Sequence, residues 1–313
     1  MLRDDGAAVT VINRGSTPAP PGTTHLVADR DDEAALRAVL GGHEFDAVID
    51  QVCYTPRQAA IAARVFAGRT GRYLMTSSVE VYDPASSPAI TPARVGVPVS
   101  EASVVTAGWP VKPELPWEDP DFLERHYGEG KRQAEAVLAD QSAFDFVAVR
   151  TAHVLGGADV TGRLAHYVRR LRTGEPIAVH RDPRPATFLH HREIAEFLRW
   201  AAAGTFTGAV NAAATGELDV VGLCEGIASV AGTPPPVYRT VADGEPASPY
   251  SFDRYYAMSN ARAAGLGFRF SALADWLPSA ITEATEPTAE ATAPTAAGAI
   301  ADSAAAGADG VEA

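Results

Sequence analysis

Short β-branched runs alternate with alanine-rich amphipathic stretches through the first half of the chain, and few architectures accept that rhythm. Residues 8–13, Ala-Val-Thr-Val-Ile-Asn, form an apolar run that stops at Arg14-Gly15-Ser16 and a proline-rich loop. A second run at 25–28 ends in Asp29-Arg30-Asp31-Asp32, where acids precede a helical stretch at 33–40. Residues 45–50 read as a third strand, a helix follows Pro56, and 72–77 read as a fourth strand. Strands and helices alternating at this spacing predict an α/β chain with a parallel, doubly wound sheet.

Residues 83–118 break the rhythm with Pro84, Pro88, Pro92, Pro98, Pro110, Pro113 and Pro116. So long an irregular segment in a compact domain usually covers or binds something, which makes it a candidate lid. A helix is expected from about 119 to 140, then a strand at 144–149. Beyond these come helices at 163–172, 193–203 and 219–230 and a strand at 208–212. The organisation expected is a dinucleotide-binding domain over 1–152 with 83–118 inserted, and a mixed α/β substrate region over 153–281, some of whose elements return to the main sheet. Residues 282–313 are Ala, Thr, Pro, Glu and Gly with almost no large apolar side chain, a composition that predicts a disordered tail.

Charge and cysteine narrow the classes. The net charge is −13, and about −7 without the six acids of the tail, so a broad basic surface for nucleic acid is not expected. Cys53 and Cys224 lie far apart with no metal-ligand spacing, and His190-His191 has no further ligands nearby in sequence. Both features read as structural, and no metal is expected. No run approaches the ~18 apolar residues of a membrane helix, and the first residues are not a secretory signal. The expectation is a cytoplasmic protein with no membrane contact.

The candidate chemistry sits in Tyr127-Gly128-Glu129-Gly130-Lys131. Four residues apart on a helix, Tyr127 and Lys131 share one face. A free phenol ionises near pH ~10, and a close positive charge is what brings that value toward a useful range. Of the 26 basic residues only Lys112 and Lys131 are lysines, so a compact ammonium stands here in a chain that otherwise uses guanidinium.

The alternating pattern, Thr76-Ser77-Ser78-Val79-Glu80-Val81-Tyr82 closing a strand, the Tyr127/Lys131 helix and the segment from Arg150 to Gly157 together resemble an extended short-chain dehydrogenase/reductase. The likeness covers residues 8 to about 281. Val11-Ile12-Asn13-Arg14-Gly15 and Ala28-Asp29-Arg30-Asp31 resemble, more narrowly, the atypical epimerase/dehydratase subgroup that includes chloroplast stem-loop RNA-binding relatives. The resemblance implies a Rossmann-type fold and a nicotinamide cofactor. It makes Tyr127 the general acid/base, Lys131 the ribose-holding residue that lowers the tyrosine pKa, and Ser78 the group orienting the substrate oxygen. Glu80 matches the glutamate that removes a carbon-bound proton in sugar-nucleotide dehydratases. The strand ending Asn13-Arg14 carries a basic residue where NAD enzymes carry a carboxylate, so NADP is expected over NAD, with Asp29 and Arg30 near the adenine. His153 lies in a region that lines substrate sites in relatives, and Arg184 stands in for an arginine whose matching position here is Ala186.

One departure concerns the start. The family's first strand and its Gly-x-x-Gly-x-x-Gly turn, which presents backbone N–H groups to a diphosphate, have no match; only Gly6 and Gly15 precede residue 20. Residues 2–6 read as the end of a first helix, with the strand and turn expected upstream. The function expected is an NADP-dependent reductase, epimerase or dehydratase acting at a secondary alcohol or ketone of a small polar or sugar-derived substrate. The alternatives are a nucleic-acid-binding or regulatory protein, using Arg163, Arg169, Arg170 and Arg172, and a pseudoenzyme lacking the cofactor turn. Family members often pair through helices matching 57–67 and 124–139, so a homodimer is possible.

Overall fold

The computed structural model describes residues 1–157, 161–242 and 244–285. The first unit runs β1 (Thr10–Asn13), β2 (Thr24–Val27), α1 (Glu33–Leu40), β3 (Val48–Asp50), α2 (Pro56–Phe66) and β4 (Arg72–Ser78). After the proline-rich segment come α3 (Pro120–Arg125), α4 (Tyr127–Asp140), β5 (Asp145–Thr151), β6 (His153–Leu155) and α5 (Arg163–Thr173). The chain continues through β7 (Ile177–Val179), β8 (Phe188–His190), α6 (His191–Ala202), β9 (Gly208–Ala212) and α7 (Val220–Ala231). It closes with β10 (Tyr238–Thr240), α8 (Ala261–Leu266) and α9 (Leu273–Thr285).

Every strand pair is parallel, as the alternation predicts. The main sheet has the order β3-β4-β5-β9, and its register sets Ser78 beside Thr151 at the carboxyl ends of β4 and β5. β1 and β2 form a separate pair, and among the described residues no strand lies between β1 and β3. The burial patterns record that division: residues of β4 and β5 are almost all buried, whereas all of β1 and β3 are only half-buried. One apolar core lies under α1, α2, α4 and the faces of β4 and β5. A larger one gathers α5, α6, α7 and α9 around β8 and β9. β9 thus brings a strand of the second half into the main sheet.

Helix starts follow local chemistry. Asp32 accepts from Ala35 N at 2.9 Å, and Thr55 accepts from Gln58 N at 3.2 Å ahead of Pro56 in the first turn of α2. The single helix expected over 119–140 is two, because the chain breaks at His126 (φ −114°, ψ 22°). Residues 2–6 form turns rather than a helix end. Of the tail expected to be disordered, 282–285 complete α9, whose apolar side chains Trp276, Leu277 and Ile281 are buried; the remainder, 286–313, lies outside the described residues. No described helix is long and apolar enough to cross a membrane.

The proline-rich segment is fastened rather than free. Thr106 donates to Glu135, Lys112 N to Gln133 and Trp109 Nε1 to Glu129, while Val104 and Trp117 are buried. It lies along α4, leaving that helix buried on nearly every side.

Candidate active site

Two glycines let α4 come so close to the end of β4. A Cβ on Gly128 would collide with the Glu80 carbonyl oxygen, and one on Gly130 would lie 2.5 Å from the Tyr54 carbonyl oxygen. Tyr127, the first residue of α4, is thereby set against the turn that closes β4. In that turn Ser78 accepts from Glu80 N at 3.2 Å.

A buried polar network fixes the other side of α4. Glu135 accepts from Ser77 at 2.6 Å, Thr106 at 3.0 Å and both Nε (3.1 Å) and a terminal nitrogen (2.7 Å) of Arg150. Arg150 also donates to the Tyr82 hydroxyl at 2.9 Å, and Tyr82 to Asn211 at 2.7 Å. Burial alone would raise the Glu135 carboxyl, but the Arg150 charge and the hydroxyl donors hold it below its ordinary range. Of the two adjacent serines, Ser77 is therefore committed to structure, while Ser78 stands near enough to the Tyr127 phenol to stabilise its ionised form.

Lys131 is almost wholly buried. Its Nζ donates to Thr76 O at 2.8 Å and stands 4.5 Å over the Tyr54 ring and 5.7 Å from the Tyr127 ring. Burial lowers its pKa to about 8, against the pull of Cys53 and Asp50. The expected lowering of Tyr127 by Lys131 does not follow from this placement. The ammonium is turned to a carbonyl and to Tyr54, and burial, reinforced by Tyr54 and Glu80, drives the phenol above its usual range despite the opposing effect of Ser78. Tyr127 is thus protonated at neutral pH.

The group beside it that titrates is Glu80. Its carboxyl accepts from the Tyr256 hydroxyl at 2.9 Å. Burial, then repulsion from Asp83, raises its pKa to about 7, partly offset by Tyr256, Arg254 and Arg163. Arg163 lies close enough to act electrostatically on Glu80, Tyr127 and His153, and its guanidinium is 5.8 Å from the Tyr250 ring centre. The sequence grouped this arginine with a basic cluster, but the structure disperses that cluster. Arg170 donates to Pro176 O and Arg172 to Thr285 O. Tyr54, Tyr256 and Arg163 are the site residues missed by sequence reasoning, since nothing in their spacing ties them to Tyr127.

The remaining candidates lie further out. His153 packs among Phe252 (4.9 Å, stacked), Tyr250 (5.6 Å) and Tyr256 (5.9 Å), and burial, then Arg163, lowers its pKa to about 3, so the ring is neutral. Arg184 pairs with Asp182 at the surface, and its backbone bridges to Phe252. Ala186 is wholly buried and bridges to Leu218 and Tyr256.

At the end of β1, Asn13 is occupied with a turn: its side-chain oxygen accepts from Gly15 N at 2.7 Å and lies 2.9 Å from His25 Nε2. Arg14 is exposed beside it. Asp29 is exposed and accepts from Asp31 N at 3.0 Å. Arg30 forms a two-pronged ion pair with Asp50 at 2.7 and 3.0 Å, and Tyr73 donates to the same carboxylate at 2.5 Å. Burial would raise Asp50, but Arg30 and Tyr73 hold it below its ordinary value. This pair ties the β1–β2 side to the main sheet.

No family model matches the chain. A curated protein, 2'-dehydrokanamycin reductase of Streptomyces kanamyceticus, is 33% identical over 98 residues, which span 31% of this chain and 28% of that protein. Among solved structures, the Bordetella bronchiseptica enzyme WbmH in complex with NAD+ superposes with a TM-score of 0.65 at 18% identity, covering 90% of this chain and 91% of that one. The Thermus thermophilus UDP-glucose 4-epimerase complex with NAD gives 0.67 at 15% identity, covering 92% and 94%. With its parallel strand order, the chain has the Rossmann-type α/β fold of these NAD-bound enzymes.

Proposed function

We propose that this protein is a nicotinamide-dependent oxidoreductase, epimerase or dehydratase acting at a secondary alcohol or ketone of a sugar-derived substrate. The observation that carries the reading is the convergence of Ser78, Tyr127, Lys131 and Glu80 at the carboxyl ends of β4 and β5, where ligands bind in open parallel sheets. A nicotinamide dinucleotide would supply the hydride acceptor or donor at the substrate carbon.

The nicotinamide end of such a cofactor fits the residues present. Lys131 carries three donors, one of them on Thr76 O, and Thr76 Oγ1 is a buried atom without a partner among the described residues. Ribose hydroxyls suit both. The adenosine end is served by exposed Arg14 and Asp29 at the ends of β1 and β2, and Arg14 favours a 2′-phosphate and so NADP. No glycine-rich turn is present among the described residues to hold the diphosphate.

In the reductive direction Tyr127, protonated at neutral pH, donates to the developing alkoxide while Ser78 holds that oxygen in line. Glu80 is half-ionised near pH 7, as a group that takes up a carbon-bound proton or recharges the phenol requires. Arg163 supplies positive charge on the same side, suited to an anionic part of the substrate.

The test is nicotinamide turnover across sugar-nucleotide and aminoglycoside-type ketones, with Tyr127→Phe beside the native protein. The expected loss is about 10²- to 10⁴-fold, the usual worth of a positioned acid. Equal turnover by Tyr127→Phe would overturn the reading, as would failure of NADPH and NADH alike to bind.

A further inference from the structure

His190 and His191 have no ligand partner nearby in the sequence, but the fold provides one 92 residues after His191. Glu283, near the end of α9, comes to the junction of β8 and α6, and one ligand atom from each of the three residues lies within 4.8 Å of the others. We propose that His190, His191 and Glu283 form a binding site for a divalent cation of the zinc class. It is separate from the Tyr127 centre and independent of the function proposed for that centre.

Three observations bear on it. His190 Nε2 and His191 Nδ1 are both buried and have no hydrogen-bond partner among the described residues, an unusual state for two neighbouring imidazole nitrogens and one that a metal would relieve. The Glu283 carboxylate is already oriented, accepting from Gly157 N at 3.0 Å, as outer hydrogen bonds orient metal ligands. The histidine rings are set by packing: they lie 4.4 Å apart at 62°, and His190 rests 5.3 Å from the Trp276 ring.

The backbone around them leaves the room. Gly156 (φ 89°) and Gly157 (φ 68°) run against the two rings, and a Cβ on Gly156 would lie 2.8 Å from His191 Nδ1.

Two imidazoles and a carboxylate are the donor set that divalent zinc and cobalt take with one position left to water. Ligand atoms on a tetrahedral ion bound at about 2.1 Å stand ~3.4 Å apart, so the trio, within 4.8 Å of one another, would have to draw slightly closer to hold the ion. A bound cation would join the turn after β6, the start of α6 and the end of α9.

The probe is Co²⁺ added to the full chain after chelator treatment, read by its visible ligand-field absorption and by displacement with Zn²⁺. One equivalent is expected to bind with a tetrahedral spectrum and to raise the melting temperature. His191→Gln and Glu283→Gln should each weaken binding at least tenfold, while His43→Gln, remote in sequence and outside the trio, should not. The absence of an absorption band at one equivalent, or equal binding by the His191→Gln and Glu283→Gln proteins, would overturn the site. Circular dichroism of the apo variants separates lost ligation from lost fold.

Discussion

The two sides of the parallel framework are held by different means. Around β4, β5 and α4, the Glu135 and Arg150 pair is wholly enclosed, every Glu135 oxygen is satisfied, and the strands are buried. Across from it, β1 and β2 make a two-stranded pair of half-buried residues, joined to the main sheet by Arg30 and Asp50 at 22% and 10% side-chain exposure. Under the proposed function the nicotinamide half of the cofactor would meet the enclosed side and the adenosine half the side held by a partly hydrated ion pair, so the firmer side would be the one that delivers a proton to one atom.

The largest effect that would sharpen this contrast is Glu135→Ala. Removing one partner of an enclosed pair leaves Arg150 charged and uncompensated, and about 3–5 kcal/mol of stability should be lost, read by urea unfolding. A loss below about 1 kcal/mol would break the distinction between the two sides. Arg30→Ala should cost less, roughly 1.5–3 kcal/mol, since water reaches the pair. Hydrogen exchange should rise in β1 and β2 before it rises in β4; uniform exchange would mean that the two sheets open together.

The smallest effect is a pH dependence. Glu80 titrates at about 7 in the folded chain, above its ordinary value of 4.5. Between those values the native state holds a proton that the unfolded chain has lost, so this stabilising contribution is full below 4.5 and lost as pH rises through 7. Relative to Glu80→Gln, the native protein's melting temperature should fall between pH 4.5 and 7 and level off above that. Parallel curves would show that Glu80 is not enclosed as described.

Much of the fold was legible because its signals are local. The helix expected at 33–40 and the strand at 208–212 match the structure at both ends, since Asp32 caps the one and glycine opens the other. The helix expected across 119–140 did not hold, because the bend at His126 carries no proline or glycine to mark it. α9 overturned part of the expected tail for a related reason: the helix is buried against α5, α7 and β8, all distant from it in sequence. At the site, Tyr127, Lys131 and Ser78 were found through a spacing and a resemblance. Tyr256 and Arg163 reach the same place from 129 and 36 residues beyond Tyr127, with no local pattern to announce them.

The sequence by itself determined the parallel α/β architecture, the placing of Tyr127 and Lys131 on one helix, and the lack of a glycine-rich turn. These are properties of neighbouring residues and of periodicity. Only the tertiary structure decided that Ser77 is taken by Glu135, that Arg30 is taken by Asp50, and that Lys131 turns toward Thr76 and Tyr54. It also decided that Glu283 meets His190 and His191. Burial and charge pairing depend on which distant groups share an enclosed space, and no count along the chain contains that distance.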